Sequence, residues 1–312
     1  MLPAPVFTTD LGTLYEGDCL KILPEIPAES VDLAFADPPF NLGKKYASRM
    51  NDSIKDHDYV DWCRTWVQEL IRVLAPGGSL FLYNLPKWNL ALSSMLLDQL
   101  TFRHWITVDM KYSLPIAGRL YPANYSLLYF VNGKRPKAFH PDRVPLRTCR
   151  HCGGELQDYG GYKNKMNPRG VNLSDVWSDI PPVRHQKYKD RESNQLSLKL
   201  MDRVISMASD EGSVVLDPFG GSGTTFVAAE LLHRKWIGTE IHCAEIIRRF
   251  EDLSSEEAHL MKIQQSKNIL FTGDSLKKRA KNGYLNDKYN AGHSLERARM
   301  PIQSEVALPL FS

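Results

Sequence analysis

Cysteine is scarce, five in 312 residues. That is too few for a disulfide framework in a chain this long, so Cys19, Cys63 and Cys243 read as reduced thiols packed in or near a core. Long apolar runs are also missing. No stretch reaches transmembrane length, and the opening MLPAPVFTTD lacks the basic, apolar and cleavage regions of a signal peptide. The expectation is a cytoplasmic protein with no membrane partner. Neither sign of charge is in excess: 39 Lys and Arg against 36 Asp and Glu leave +3. So small a surplus says little about a polyanionic partner, and any nucleic-acid contact must rest on where the basic residues sit. There is no tandem repeat, and the echo between LYEGDCL at 14–20 and LFTGDSL at 270–276 reads as chance. Two phosphate-binding signatures are absent. Gly223 is followed by Thr224-Thr225, where a P-loop needs Lys then Ser or Thr. Gly221-x-Gly223 meets Phe226, where a dinucleotide fingerprint needs a third glycine.

What is present is an alternation of strands and helices. Apolar runs at Thr13–Glu16, Val31–Ala36, Ser79–Tyr83, Ile106–Met110, Ser126–Val131, Ser213–Leu216 and Lys235–Glu240 predict strands. Helical spacing predicts Cys19–Leu23, Tyr59–Leu74, Leu90–Leu100, Asn194–Ala208, Thr225–Leu232 and His242–Leu260. The fold class is α/β, with a Rossmann-like, mostly parallel sheet covered on both faces. From Asn132 to Arg191 periodicity lapses, which is too long for an ordinary connection. The expected domains are therefore 1–131 with 192–265 as one catalytic body, 132–191 as an inserted functional region, and 266–312 as a C-terminal extension.

Two strand-ending motifs carry the chemistry. In LDPFGGSGTT, Asp217 precedes the turn Gly220-Gly221-Ser222-Gly223, which opens a helix. Glycines let backbone N–H groups approach a ligand. Glu240, about 20 residues on at the end of the next strand, stands where a ribose-binding carboxylate belongs. An acid at the turn repels a pyrophosphate but pairs with an ammonium group, which favours a cationic nucleoside such as S-adenosylmethionine. In ADPPF, Pro38 and Pro39 lock the backbone and remove two N–H donors, leaving carbonyls to accept. Asp37 adds acceptor oxygens and Phe40 a flat apolar face. That set suits a planar heterocycle with an exocyclic NH2.

Together these motifs resemble those of the amino-directed DNA methyltransferases, which use S-adenosylmethionine to methylate adenine N6 or cytosine N4. The order here is DPPF first, basic insert next, glycine loop last, which is similar to the beta-type permutation of that family. The resemblance runs from about Leu14 to Phe250. It implies a methyltransferase-type sheet, with catalytic residues Asp37, Pro38, Pro39 and Phe40. It implies cofactor contacts at Asp18, Asp217, Phe219, Gly220, Gly221, Ser222, Gly223, Thr224 and Glu240, with Gly17-Asp18 at the cofactor adenine. One departure is Ser193-Asn194-Gln195-Leu196-Ser197, where the family usually carries Pro-Thr-Gln-Lys-Pro; only the Gln is kept. Asp37, where cytosine enzymes more often have Ser, leans toward adenine. Cytosine N4, or a silent methyltransferase-like DNA-binding protein, stays as the alternative. The implied partner is double-stranded DNA. A homodimer and a restriction endonuclease partner stay open.

The insert is the expected target reader. Lys134, Arg135, Lys137, Arg143, Arg147, Arg150, Lys163, Lys165 and Arg169 are interleaved with Tyr159, Tyr162, Trp177, Asn164, Asn167 and Asn172; Arg184, Lys187, Lys189 and Arg191 follow. Cations neutralise phosphates, and Arg and Asn read base edges. Within it, Cys149-x-x-Cys152 resembles half a zinc knuckle. Zinc wants four ligands and no second Cys pair exists. His140, His151 or His185 would have to complete the set, so bound zinc is not favoured.

Overall fold

The computed structural model describes residues 2–42, 54–109, 117–118, 120–144, 160–161, 171–180 and 195–265. The chain divides into two compact units, Met1–Arg143 with Asn172–Ile263, and Val144–Val171 with Gln264–Ser312. Nearly all described residues belong to the first.

That first unit is built on a nine-stranded sheet. Its strands in chain order are β1 Phe7–Thr8, β2 Gly12–Glu16, β3 Val31–Ala36, β4 Leu74–Asn84, β5 Thr101–Asp109, β6 Asn124–Val131, β9 Val176–Trp177, β10 Val214–Asp217 and β11 Lys235–Glu240. Two further short strands, β7 Arg143–Val144 and β8 Val171–Asn172, pair with each other. The helices are α1 Cys19–Ile22, α2 Asp56–Val73, α3 Pro86–Gln99, α4 Leu198–Ala208, α5 Thr224–Leu231, α6 Ala244–Glu251 and α7 Leu253–Gln265.

The sheet order is β1-β2-β11-β10-β3-β4-β6-β5-β9. From β2 to β4 the neighbours run parallel, and β6 is antiparallel to both β4 and β5. Alternation along each central strand feeds two cores. Leu33, Phe35, Phe81, Tyr83, Leu127 and Tyr129 pack with α4 and α5 on one face. Ala34, Ala36, Leu80, Leu82, Leu128 and Phe130 pack with α2 and α3 on the other. Period-two side chains on strands buried from both sides require this three-layer arrangement.

Several boundaries differ from those expected. Helix α3 begins at Pro86, four residues before the expected Leu90, because a proline at the first helical position needs no partner for its missing N–H. Strand β4 takes in Pro76-Gly77-Gly78, which lie between the expected helix Tyr59–Leu74 and the expected strand Ser79–Tyr83, with Gly77 at φ 79°. The single helix expected over His242–Leu260 breaks at Asp252. Of the stretch 132–191, residues up to Arg143 and from Asn172 onward fall in the first unit. Asn132 binds the carbonyls of Leu74 and Ala75, Lys137 pairs with Asp32 at 2.7 Å, and the His140 N–H donates to Met207. At the other end β9 joins the sheet beside β5, Trp177 is 3% exposed, and Asp179 accepts both arms of Arg203 at 2.9 and 2.7 Å. Sheet pairing, hydrogen bonds and ion pairs with residues distant in sequence, which periodicity in a short segment cannot reveal, join these stretches to the first unit.

Candidate active site

Strand polarity places the two motifs. Strands β10 and β3 are parallel neighbours, with Leu216 level with Ala34. The chain leaves β10 toward β11 and leaves β3 toward β4, on opposite sides of that pair. This is a topological switch point, where parallel sheets open a crevice at the carboxyl ends of their strands. Asp217 and the glycine loop stand at one lip and Asp37 to Phe40 at the other, one strand spacing of about 5 Å apart at their roots. Glu240 is level with Glu16 on the next pair, so Gly17-Asp18 lies on the same rim.

The glycine loop is braced from within. Asp217 has no exposed surface; its carboxylate accepts from the Phe219 N–H at 2.9 Å and the Thr225 hydroxyl at 2.5 Å. Burial pushes its pKa up to about 7, against the pull of those two hydrogen bonds, and Glu240 adds to the rise. The expectation that Asp217 pairs directly with an ammonium group therefore changes. Both of its oxygens are turned inward, tying the strand end to the first turn of α5.

The glycines have two uses. A Cβ on Gly220 would sit 2.6 Å from the Phe226 ring, and Gly223 caps α5 at φ 81° with Ile246 within 2.9 Å of where a Cβ would lie. Packing thus accounts for both. The N–H groups of Gly220, Gly221 and Gly223 are engaged inside the protein, by Thr239 O at 2.9 Å, Glu240 Oε2 at 2.6 Å and Gly220 O at 2.7 Å. The expectation that this row of donors points at a ligand is revised accordingly, since the turn closes on its own acceptors. Arg249, which no sequence motif singles out, is buried behind the loop and donates to Ser222 O at 3.2 Å and Thr224 Oγ1 at 2.8 Å. Thr224 in turn donates to Leu196 O at 3.3 Å, so the segment that departs from the family run still touches the loop. Phe219 lies 5.0 Å from Trp66 and 5.7 Å from Trp62, between ring centroids. Asp18 caps α1 through the Leu20 N–H at 3.0 Å.

The DPPF turn is held by donors from two helices. The Tyr59 hydroxyl donates to Pro39 O at 2.6 Å and the Trp88 indole N–H to Phe40 O at 2.8 Å. Among the described residues none donates to the Pro38 carbonyl. Asp37 is half-buried. Phe40, expected to offer an open face, is 8% exposed, with its ring 6.3 Å from Tyr83 and 5.6 Å from Tyr125. It covers the ends of β4 and β6, whose own rings would otherwise be wetted. Burial, then the charge of Asp37, push the Tyr83 pKa well up. Beyond the turn, Asn41 takes a left-handed φ of 54° and its amide bonds both backbone groups of Ile54, at 2.8 and 2.9 Å.

Set against known proteins, the N6/N4 family model described as DNA methylase matches residues 31–249. The chain belongs to this DNA methylase family. The methylase is 56% identical over 291 residues to the type II methyltransferase M.BamHI of Bacillus amyloliquefaciens, covering 93% of this chain and 69% of that one. It is 32% identical over 276 residues to the DNA adenine methyltransferase YhdJ of Escherichia coli K12, covering 84% and 90%. Its fold is similar to that of the PvuII DNA methyltransferase (cytosine-N4-specific), with TM-score 0.58 and 22% identity over 83% of this chain and 93% of that one. It is thus an amino-directed DNA methyltransferase that draws its methyl group from S-adenosylmethionine. No described helix is long and apolar enough to cross a membrane, and no described cluster of His, Cys, Asp or Glu could hold a metal. Cys149 and Cys152 lie outside the described residues, as does most of the basic insert.

Proposed function

We propose that the methylase rotates one base out of duplex DNA and holds its exocyclic amine between Asp37 and the Pro38 carbonyl, with adenine N6 as the target. The observation that carries this reading is the parallel pairing of β3 with β10, which roots the amine-accepting turn beside the glycine loop. The rim fits S-adenosylmethionine in its donor set. Glu16, Asp18 and Glu240 close neighbouring strand ends, offering acceptors to hydroxyls and an ammonium group and repelling phosphates. We assign Glu240 to the ribose and the Asp18 turn to the adenine, with the loop from Asp217 to Thr224 shaping the remaining wall. When bound, the cofactor supplies an electrophilic methyl group on a sulfonium.

The remaining chemistry belongs to the protein. The amine's lone pair is spread into its ring. A carboxylate of ordinary pKa, about 4, is too weak a base to deprotonate it in advance. Asp37 and the Pro38 carbonyl accept its two N–H bonds, favour a pyramidal nitrogen and aim the lone pair. After transfer the nitrogen is cationic and acidic, and Asp37 or water takes the proton. Most of the rate comes from positioning and charge placement. Extruding the base costs a few kcal/mol. An aromatic wall of Phe40 braced by Tyr83 and Tyr125 returns part of that, on the order of 1–3 kcal/mol.

Cytosine N4 is the second reading, because the same fold serves the cytosine-N4-specific PvuII DNA methyltransferase. Methylation of duplex DNA with labelled S-adenosylmethionine, followed by nucleoside digestion, decides between them. N6-methyladenine supports the proposal and N4-methylcytosine replaces it. In the same assay Asp37→Ala is expected to abolish turnover while calorimetric cofactor affinity stays within a few-fold. Loss of both together would show that Asp37 serves the cofactor instead.

A further inference from the structure

A turn containing Pro38 and Pro39 has given up two of its own N–H donors. At those two positions the turn can be oriented only through its acceptors. Three consecutive carbonyls follow Asp37, those of Pro38, Pro39 and Phe40, and the protein treats them unequally. The Pro39 carbonyl accepts from Tyr59 at 2.6 Å and the Phe40 carbonyl from Trp88 at 2.8 Å. Among the described residues the Pro38 carbonyl alone of the three receives no donor.

The two donors are themselves fixed. Tyr59 from α2 and Trp88 from α3 are 2% and 4% exposed, with ring centroids 4.5 Å apart. The Tyr59 hydroxyl has one proton. It accepts from Asn84 Nδ2 at 3.1 Å, and Asn84 is fully buried, with its own oxygen taken by the Leu85 N–H at 2.7 Å. Leu85 thereby sets which end of the Asn84 amide faces Tyr59. Asn84 in turn sets the direction of the hydroxyl proton, and that proton holds the Pro39 peptide. Neutral, buried side chains perform all of this, so the relay adds no charge beside Asp37.

We propose that Tyr59, Asn84 and Trp88 are positioning residues for methyl transfer. They turn the Pro39 and Phe40 carbonyls toward the helices and so leave the Pro38 carbonyl, alone of the three, to join Asp37 in accepting from the target amine. The inference rests on the amine-holding role proposed for Asp37 and Pro38.

The test compares wild type, Tyr59→Phe, Asn84→Asp and Trp88→Phe in single-turnover methylation of duplex DNA, with thermal melting and cofactor titration on the same preparations. Tyr59→Phe keeps the ring and deletes one proton donor. It is expected to slow the methyl-transfer step tenfold or more while the KM for S-adenosylmethionine and the midpoint of melting stay close to wild type. Asn84→Asp replaces a donor by a carboxylate that would draw the Tyr59 proton away from Pro39. It is expected to match Tyr59→Phe, and the pair combined should be no slower than either alone. Trp88→Phe should show the same split between rate and KM. A Tyr59→Phe enzyme that folds and transfers within twofold of wild type overturns the inference, as does equal loss of rate and cofactor affinity. Failure of the wild type itself to methylate an amino group on DNA would instead remove the reading beneath it.

Discussion

At the scale of single residues, the sharpest feature is a carboxyl group with no exposed surface, Asp217. Asp217 ionises near 7 because burial outweighs the two hydrogen bonds that favour its charge. In the unfolded chain the same acid ionises near 4. Between those values the native state holds a proton the unfolded state has lost, so this group's contribution to stability falls as pH rises from about 4 to about 7. Asp217→Asn keeps an acceptor for Phe219 and a polar partner for Thr225 but cannot ionise. We expect wild-type melting temperature, measured without cofactor, to decline across that window relative to the Asn variant. Parallel curves for the two would show that the carboxyl is charged throughout.

Among elements, the glycine loop shows how one sequence pattern answers to two demands. Phe226 fills the space beneath the loop, and that is possible because Gly220 and Gly238 bring no Cβ to it; added ones would lie 2.6 and 2.4 Å from its ring. Gly220→Ala should therefore displace the loop from α5 and weaken S-adenosylmethionine binding at least tenfold in a titration. Trimming the ring in the double variant Gly220→Ala with Phe226→Leu should restore part of the affinity. If the second substitution restores none, the glycine serves direct approach of the ligand and not packing. The same logic applies to Arg249, whose guanidinium reaches the loop from α6 across 25 residues of sequence. No local motif marks it, because its partners within the loop are a backbone carbonyl and a threonine hydroxyl.

At the scale of the whole molecule, the described part of the basic segment is tied to the sheet edge away from Asp37. Lys137 pairs with Asp32 at the start of β3, and its backbone is bound to Gly77. That end of the strand lies opposite the one carrying Asp37, roughly 15–20 Å away at about 3.3 Å per residue. Lys134 and Arg135 precede it on the same segment, and the Arg135 carbonyl lies against Gly77. They should take little part in holding DNA at the Asp37 edge. Lys163, Lys165 and Arg169 lie outside the described residues, and we propose them as the phosphate contacts. Alanine substitutions at Lys134, Arg135 and Lys137 should leave the salt dependence of DNA affinity unchanged. Substitutions at Lys163, Lys165 and Arg169 should lower the slope of log K against log salt by about one for each phosphate left without its cation. Equal effects from both groups would return the 132–143 segment to the DNA-binding surface.

Much of this protein was legible before folding. The alternation of apolar runs with helical periods named the sheet and its layers, because burial on both faces leaves a strand no freedom in pattern. ADPPF and LDPFGGSGTT declared themselves, since prolines, glycines and acids at strand ends are costly unless a turn or a ligand uses them. Three things waited for the tertiary structure. One was the adjacency of β3 and β10, which are separated by more than 170 residues of chain and are joined only by sheet order. Another was the orientation of each polar group. Asp217 turns inward, the glycine N–H groups are shared among internal acceptors, and Tyr59 and Trp88 reach the catalytic turn from α2 and α3. The last was which ends of the irregular stretch the first unit takes in, through contacts of Lys137, Trp177 and Asp179. Composition and period are properties a chain carries with it. Which donor meets which acceptor depends on distances that exist only once the layers have packed.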